Sequence, residues 1–179
     1  MAILSPAPYH ILSYGTLLGT TFFHTFVGGI VSFRVLPRPQ FASLMSKIFP
    51  IYFSMQSTLP LVLAVTYPAS RNPFGVAGGI AGVMDVSNRW SVLAPLVGAF
   101  VCALGNLLVV GPATTKVMGE RRAQEKKDGK KSYDDPPHSQ EMLTLNKQFS
   151  MLHGVSSALN LGTFIATVAY GVHLASRLA

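Results

Sequence analysis

The sequence predicts an all-α fold, an integral membrane bundle of four transmembrane helices with cytosolic helical extensions of the third and fourth. The first observation is that four apolar segments, each long enough to cross a bilayer as a helix, fill most of the chain: residues 10–33, 48–67, 90–112 and 151–176. The second is that only 12% of the residues are charged and that they lie between these segments. A soluble helical protein would carry charge along each amphipathic helix. We therefore expect residues 1–179 to form a single transmembrane domain.

The first segment is interpreted as a permanent span rather than a cleaved signal peptide. No Lys or Arg precedes it, and its apolar run is longer than a typical signal-peptide core. Gly15 and Gly19 are small residues spaced four apart, which predicts a face that packs against another helix. Further residues follow on that face: Thr20, His24, Gly28 and Ser32.

The second segment contains two prolines, Pro50 and Pro60. Proline has no amide proton and disturbs the carbonyl four residues earlier, so Pro60 frees the carbonyl of Gln56 near the middle of the span. This predicts a kink with a local polar spot beside the Gln56 side chain. Such a spot can bind a cation, or a neighbouring Ser or Thr can close it.

The third segment carries small or polar residues on one line: Ala94, Gly98, Cys102 and Asn106. This line predicts a helix contact, with Cys102 as a small packing residue; a metal ligand or redox thiol is the alternative. Good helix formers follow the span, so we expect the helix to continue to about Lys127. Asp128 and Gly129 then end it.

The fourth segment has a small-residue line and a polar stripe. The small residues are Ala158, Gly162 and Ala166, and Ser139 is placed to cap the entering helix. The stripe follows helical spacing: His153, Ser156, Asn160, Thr163, Thr167 and Tyr170. With His24, Gln56 and Asn106, it places hydrogen-bonding groups inside the bundle. These groups either fix the register of the helices or form a substrate pathway.

The distribution of basic residues predicts the orientation. The first and third loops carry eleven of the fourteen Lys and Arg residues, and the second loop and the C-terminal end carry three. By the positive-inside rule the first and third loops, including residues 113–150, are cytosolic and both termini are luminal or extracellular. The second loop contains four glycines between residues 75 and 82 and is interpreted as a mobile loop, with a re-entrant segment as the alternative.

Composition and motif spacing also narrow the class of function. The basic loop mixes acidic residues with its lysines and arginines and lacks aromatic interleaving, which argues against nucleic-acid binding. No nucleophile–base pair, paired carboxylates or phosphate-binding loop is evident, so we expect no enzymatic activity and no catalytic residues.

Four histidines form two pairs that we expect at similar depths in the membrane: His10 with His173, and His24 with His153. Haem or metal sites would require such pairs. Because no further ligands converge by spacing, we expect neither a cofactor nor a metal.

Several ordered blocks resemble the transmembrane protein 205-like family over nearly the whole chain. They are TFVGG at 25–29, FRVLPR at 33–38, SKIFPIYF at 46–53, PATT at 112–115, HGVSS at 153–157 and Asn160. The resemblance implies a four-pass membrane protein, and members of that family have been connected with membrane transport and secretion. The candidate site, in the interior or at the cytosolic ends of the spans, is Arg34, Arg38, Gln56, Asn106, Thr114, Thr115, His153, Ser156 and Asn160.

The resulting hypothesis is a multi-pass protein of the endomembranes, most simply the endoplasmic reticulum, that supports small-molecule or metal transport or membrane trafficking. The alternative is a non-catalytic structural or assembly subunit of a larger membrane complex. The expected partners are the lipid bilayer and either a second copy of the chain or another membrane protein.

Overall fold

The computed structural model describes residues 5–69, 75 and 77–177. Its helices are α1 (Pro6–Val35), α2 (Arg38–Val65), the short α3 (Gly79–Val83), α4 (Val86–Asp128) and α5 (Gln140–Ser176). The four long helices are each long and apolar enough to cross a membrane. The predicted fold class, an all-α bundle of four candidate transmembrane helices, is therefore confirmed.

The four long helices form a ring in which each packs against two others. α1 contacts α2 and α5, and α4 contacts the same two helices, so α2 and α5 lie diagonally across the bundle. His10 near the start of α1 hydrogen-bonds to Tyr170 near the end of α5. Both ends of the described chain therefore lie at one end of the bundle, which we call the terminal end. The α1–α2 and α4–α5 connections lie at the opposite end.

The α4–α5 contact is made by the small residues that the sequence singles out. A methyl group added at Gly162 of α5 would lie 3.2 Å from the sulfur of Cys102, and one added at Gly98 of α4 would lie 3.9 Å from the Ala166 side chain. The small side chains allow the two helices to approach closely, most tightly at Gly162. The predicted packing face is confirmed here, with Cys102 at the contact.

The face predicted on α1 is wrong in part: His24 packs against Phe49 and Tyr52 of α2, but Gly15 and Gly19 make no helix contact. A methyl group added at either glycine would find no atom within 4 Å. Small residues spaced four apart can mark a helix contact, but the spacing does not say which side of the helix meets protein and which meets lipid.

Two of the long helices contain π-helical turns that begin at polar residues. In α1 the turn spans His24–Gly28 and in α4 it spans Asn106–Val110; in each, the following glycine amide donates to the carbonyl of the first residue. A second π-helical turn of α4, Arg89–Leu93, lies near its start. A Cβ at Gly111 would lie 2.7 Å from the Asn106 carbonyl oxygen, so glycine permits the tight approach there. Such turns are frequent at functional sites.

The second loop is not a plain loop in its described part. α3 folds back on the terminal end, where Val83 is buried with Leu63, Tyr67 and Leu174. The Gly79 amide donates to the Tyr67 carbonyl oxygen at 2.7 Å, and Gly79 has a φ of 65°. Residues 70–74 and 76 lie outside the described residues.

The helical extensions of α4 and α5 follow the prediction. α4 ends at Asp128, and Gly129 adopts a left-handed conformation with φ 64°, as expected of a helix C-terminus. The Ser139 hydroxyl caps α5 by accepting from the Met142 amide at 3.2 Å. Arg121 joins the two extensions, since its Nε donates to Asn146 Oδ1 at 2.9 Å.

Candidate functional site

A hydrogen-bonded group of side chains joins α1, α2 and α5 inside the bundle. We call it the interior cluster, and its members are Thr21, Thr25, Tyr52, Gln56 and Asn160. The Tyr52 hydroxyl donates to Asn160 Oδ1 at 2.6 Å, and Asn160 Nδ2 donates to Thr25 Oγ1 at 2.6 Å. Because α2 and α5 lie diagonally across the ring, the Tyr52–Asn160 bond crosses the centre of the bundle.

Gln56 and Thr21 are the fully buried members of the interior cluster, each with 0% of its surface exposed. Gln56 Nε2 lies 2.8 Å from the Tyr52 hydroxyl, 3.0 Å from Asn160 Oδ1 and 3.1 Å from Thr21 Oγ1. The amide has two hydrogens, so three acceptors share them. Gln56 Oε1 is buried and has no hydrogen-bond partner in the described structure.

Asn106 adds a second free amide oxygen from α4. Its Nδ2 donates to the Ser156 carbonyl oxygen at 3.1 Å, one turn before Asn160 on α5. The side chain is fully buried, and Oδ1 has no partner among the described residues. Asn106 also begins the π-helical turn of α4. All four long helices therefore place polar side chains within about one helical turn of the same level.

His24 borders the interior cluster on the α1 side. Its ring centroid lies 4.6 Å from that of Tyr52 and 5.1 Å from that of Phe49. The ring is held by these aromatic contacts, while its buried Nε2 has no partner in the described part of the chain. Like Asn106, His24 is the first residue of a π-helical turn.

The chemistry available at this level is neutral hydrogen bonding. The free atoms are two amide oxygens and one imidazole nitrogen, and the interior cluster itself contains no charged side chain. An unpaired buried polar group costs about 1–3 kcal/mol. The arrangement therefore favours a guest that donates hydrogen bonds.

The comparisons with known proteins place this architecture in a family. The profile described as "Domain of unknown function (DUF4149)" matches residues 12–123, more than half of the chain. The chain belongs to the DUF4149 family. This DUF4149 protein is also similar to "Xanthocillin biosynthesis cluster protein D" of Aspergillus fumigatus. The two are 32% identical over 171 residues, which cover 96% of this chain and 90% of that protein. No solved structure matches the chain.

The matched segment contains only part of the site. Residues 12–123 contain α2 and the apolar part of α4, and so supply Gln56 and Asn106. Ser156 and Asn160 lie on α5, beyond the matched segment. The site level of this DUF4149 protein is complete only with its last helix.

Four of the nine residues predicted from sequence come together at this level: Gln56, Asn106 and Asn160 through their side chains, and Ser156 through its backbone carbonyl. The structure does not bring the other five to it. Arg34 is exposed, and the Arg38 guanidinium lies 3.7 Å from the Phe33 ring centroid. The hydroxyls of Thr114 and Thr115 donate to carbonyls of their own helix. His153 is exposed and its ring lies parallel to that of Phe149, 5.9 Å away.

Sequence reasoning missed Thr21, Thr25 and Tyr52 as members of the interior cluster. A weak signal was available, because Thr21 and Thr25, like Tyr52 and Gln56, are spaced four apart and so share a helix face. Threonine and tyrosine are nevertheless common in apolar segments, where threonine often bonds to its own helix. Only the helix arrangement distinguishes these residues from the others.

A second polar group, which we call the terminal cluster, lies at the terminal end and comprises His10, Thr66, Tyr67, Tyr170 and His173. His10 is 1% exposed; its Nδ1 is 3.0 Å from Thr66 Oγ1 and its Nε2 is 2.5 Å from the Tyr170 hydroxyl. Tyr67 and His173 meet through a 3.4 Å contact between hydroxyl and Nε2. His10 and His173 both lie at the terminal end, and the hydroxyls of Thr66 and Tyr170 contact the two ring nitrogens of His10.

Proposed function

We propose that this DUF4149 protein supports the transport of a small molecule that carries hydrogen-bond donors, and that the interior cluster with Asn106 is its substrate contact. One observation carries the proposal: Gln56 Oε1 and Asn106 Oδ1 are free atoms of fully buried amides. Intramembrane polar groups are expensive to keep unpaired and commonly mark substrate pathways.

The lack of charged side chains in the interior cluster limits the kind of molecule that it can bind. A metal ion or other cation would lose its hydration shell without gaining a negative partner, since the free groups are neutral. An uncharged alcohol, amide or amine loses less on entry and can satisfy the free acceptors. We therefore place a neutral hydrogen-bond donor ahead of a metal ion as the transported species.

The comparisons support a role in handling small molecules. The similar Aspergillus protein carries a biosynthesis-cluster name, and we propose that this chain handles the product or an intermediate of a biosynthetic reaction. We further propose membership of the transmembrane protein 205-like family within DUF4149, an endomembrane location such as the endoplasmic reticulum, and luminal or extracellular termini. No catalytic step is part of the proposal.

A flux screen in proteoliposomes tests the proposal. Purified protein is reconstituted, and uptake of labelled neutral alcohols, amides and amines is measured beside a panel of divalent metal ions. Gln56→Met and Asn106→Leu keep approximate volume but remove the free oxygens. Thr58→Val is the matched control, because Thr58 is exposed on α2 and its hydroxyl bonds only to Ser54 O in the described structure.

The proposal expects the Gln56 and Asn106 variants to lose neutral-solute flux while they remain folded, with unfolding temperatures lowered only by the hydrogen bonds that each amide makes to the protein. Thr58→Val should keep both properties. Flux and folding lost in parallel would mean that the polar groups only hold the helices together. Uptake confined to metal ions would contradict the proposed cargo.

An assembly subunit is the second candidate, and the surface of α1 favours it. In the most apolar 18-residue segment of each helix, only 11% of α1 is buried inside the protein, against 33% of α2. Large apolar side chains are exposed on α1: Leu12, Phe22, Phe23, Phe26, Ile30 and Phe33. Purification in a mild detergent should then recover a second copy or another membrane protein in fixed stoichiometry. A photocrosslinking residue placed at Phe22 or Phe26 should join the two. A monomer without crosslinks would count against this candidate.

A further inference from the structure

Arg177 places a guanidinium beside the terminal cluster. It follows the last residue of α5, and its guanidinium carbon lies 4.8 Å from the centre of the Tyr67 ring. The side chain is half-buried, and its Nη1 is buried without a hydrogen-bond partner in the described structure. A guanidinium stays charged at every physiological pH, so this N–H cannot be removed by loss of a proton. A buried N–H of a charged group that finds no acceptor is costly to keep.

No carboxylate in the described part of the chain neutralises this charge. The ion pair found there, Lys131 with Glu125, belongs to the helical extensions at the opposite end. Asp85 follows α3 on the terminal side, but its Oδ1 already accepts from the Ser87 hydroxyl at 2.6 Å and the Ser87 amide at 2.9 Å. These two hydrogen bonds lower the pKa of the exposed Asp85 carboxyl. Asp85 forms no ion pair with Arg177.

Two further hydrogen-bonding groups lie next to the guanidinium. The contact between the Tyr67 hydroxyl and His173 Nε2 is long, at 3.4 Å, so either group can turn to another partner at little cost. Both ring nitrogens of His10, by contrast, are held by Thr66 and Tyr170. Arg177, Tyr67 and His173 therefore lie together at the terminal end, and one buried N–H of the guanidinium has no acceptor in the described structure.

We infer that Arg177, Tyr67 and His173 bind a phosphate group, carried by a membrane lipid or free in solution. The planar guanidinium pairs with two phosphate oxygens at once, which a lysine cannot do. The end of a transmembrane helix lies at the level of the lipid headgroups, so a guanidinium there is within reach of a headgroup phosphate. This inference is independent of the interior cluster and of the proposed transport.

Thermal unfolding of the detergent-purified full chain tests the inference with two probes. One is inorganic phosphate, titrated against chloride at equal ionic strength. The other is dihexanoylphosphatidylglycerol, a soluble lipid with the same phosphate chemistry. Both are applied to wild type, Arg177→Gln, Arg177→Lys and the matched control Arg89→Gln, which removes an exposed arginine near the same end.

We expect at least one probe to raise the unfolding temperature of the wild type. Arg177→Gln should weaken that binding about tenfold or more, the equivalent of one charge-assisted hydrogen bond. Arg177→Lys keeps the charge but cannot pair with two phosphate oxygens at once, so its binding should be intermediate. Arg89→Gln should bind like the wild type. A response to the lipid alone assigns the site to a headgroup, and an equal response to inorganic phosphate assigns it to a free ion.

Three results would overturn the inference. One is a wild type that responds to neither probe, which decides the matter even if Arg177→Gln fails to fold. Another is an unchanged response in a folded Arg177→Gln. The third is an equal loss in Arg177→Gln and Arg89→Gln, because that would reflect net charge rather than a site.

Discussion

The Tyr52 hydroxyl donates a 2.6 Å hydrogen bond to Asn160 Oδ1 across the centre of the bundle, between two helices that are not neighbours in the ring. The same hydroxyl lies 2.8 Å from Gln56 Nε2, so it links both amides of the interior cluster. A single oxygen atom thus joins α2 to α5 and helps to set the distance between opposite sides of the bundle.

Removal of that oxygen should destabilise the protein. Tyr52→Phe keeps the ring but leaves Asn160 and Gln56 with fewer partners, and we expect the free energy of unfolding to fall by about 1 kcal/mol. Denaturation in detergent micelles measures this loss. Tyr9→Phe is the control, because Tyr9 lies 51% exposed on α1. Equal effects of the two changes would mean that the diagonal bond contributes no stability.

The α4–α5 contact provides a second test. Gly162→Leu forces a branched side chain against Cys102, where even a methyl group would lie 3.2 Å from the sulfur. Overpacking of this kind costs about 1–3 kcal/mol, and thermal unfolding should show the loss. Gly154→Leu is the matched control on α5, since a methyl group at Gly154 meets no atom within 4 Å. A tolerated Gly162→Leu would contradict the close helix approach.

The fold was largely predictable because its signals are local. Apolar length defines the long helices, and glycine at position 129 and serine at position 139 supply the helix end and cap that their chemistry favours. The lines of small residues that contain Cys102 on α4 and Gly162 on α5 correctly predicted a contact between the two helices. The same pattern at Gly15 and Gly19 did not, because spacing alone cannot tell a protein-facing side from a lipid-facing one.

The site was predictable only in part, because it depends on which helices face each other. Gln56, Asn106 and Asn160 stand out as polar residues in apolar segments. Tyr52 does not, since its part depends on the diagonal placement of α2 and α5. The π-helical turns at His24 and Asn106 have no recognised sequence signal, although each is followed by a glycine.

The fold-back of α3 depends on a glycine conformation. Gly79 has a φ of 65°, in a region that costs other residues about 1–2 kcal/mol, and its amide bonds to the Tyr67 carbonyl. Gly79→Ala should therefore lower the unfolding temperature and speed hydrogen exchange of the Gly79 amide region. Gly119→Ala, within the helical extension of α4 where a methyl group meets nothing within 4 Å, should be neutral or stabilising. A stabilising Gly79→Ala would show that this turn is not strained by a side chain.

Accessibility of the interior cluster separates a pathway from a set of structural bonds. In a Cys102→Ala background, Gln56→Cys places a thiol at the buried level, and a small water-soluble methanethiosulfonate reagent reacts only where water ionises the thiol. If solute passes this level, the thiol at position 56 should react measurably faster than one introduced by Leu63→Cys, which lies in the apolar core at the same 0% exposure. Ser87→Cys, on the exposed turn before α4, gives the rate of a fully open site. Because positions 56 and 63 are equally buried in the static structure, a difference between them can come only from hydration or opening around the polar side chains. Equal inertness of the two would favour a dry network that holds the helices in register, and would leave transport without a route through this level.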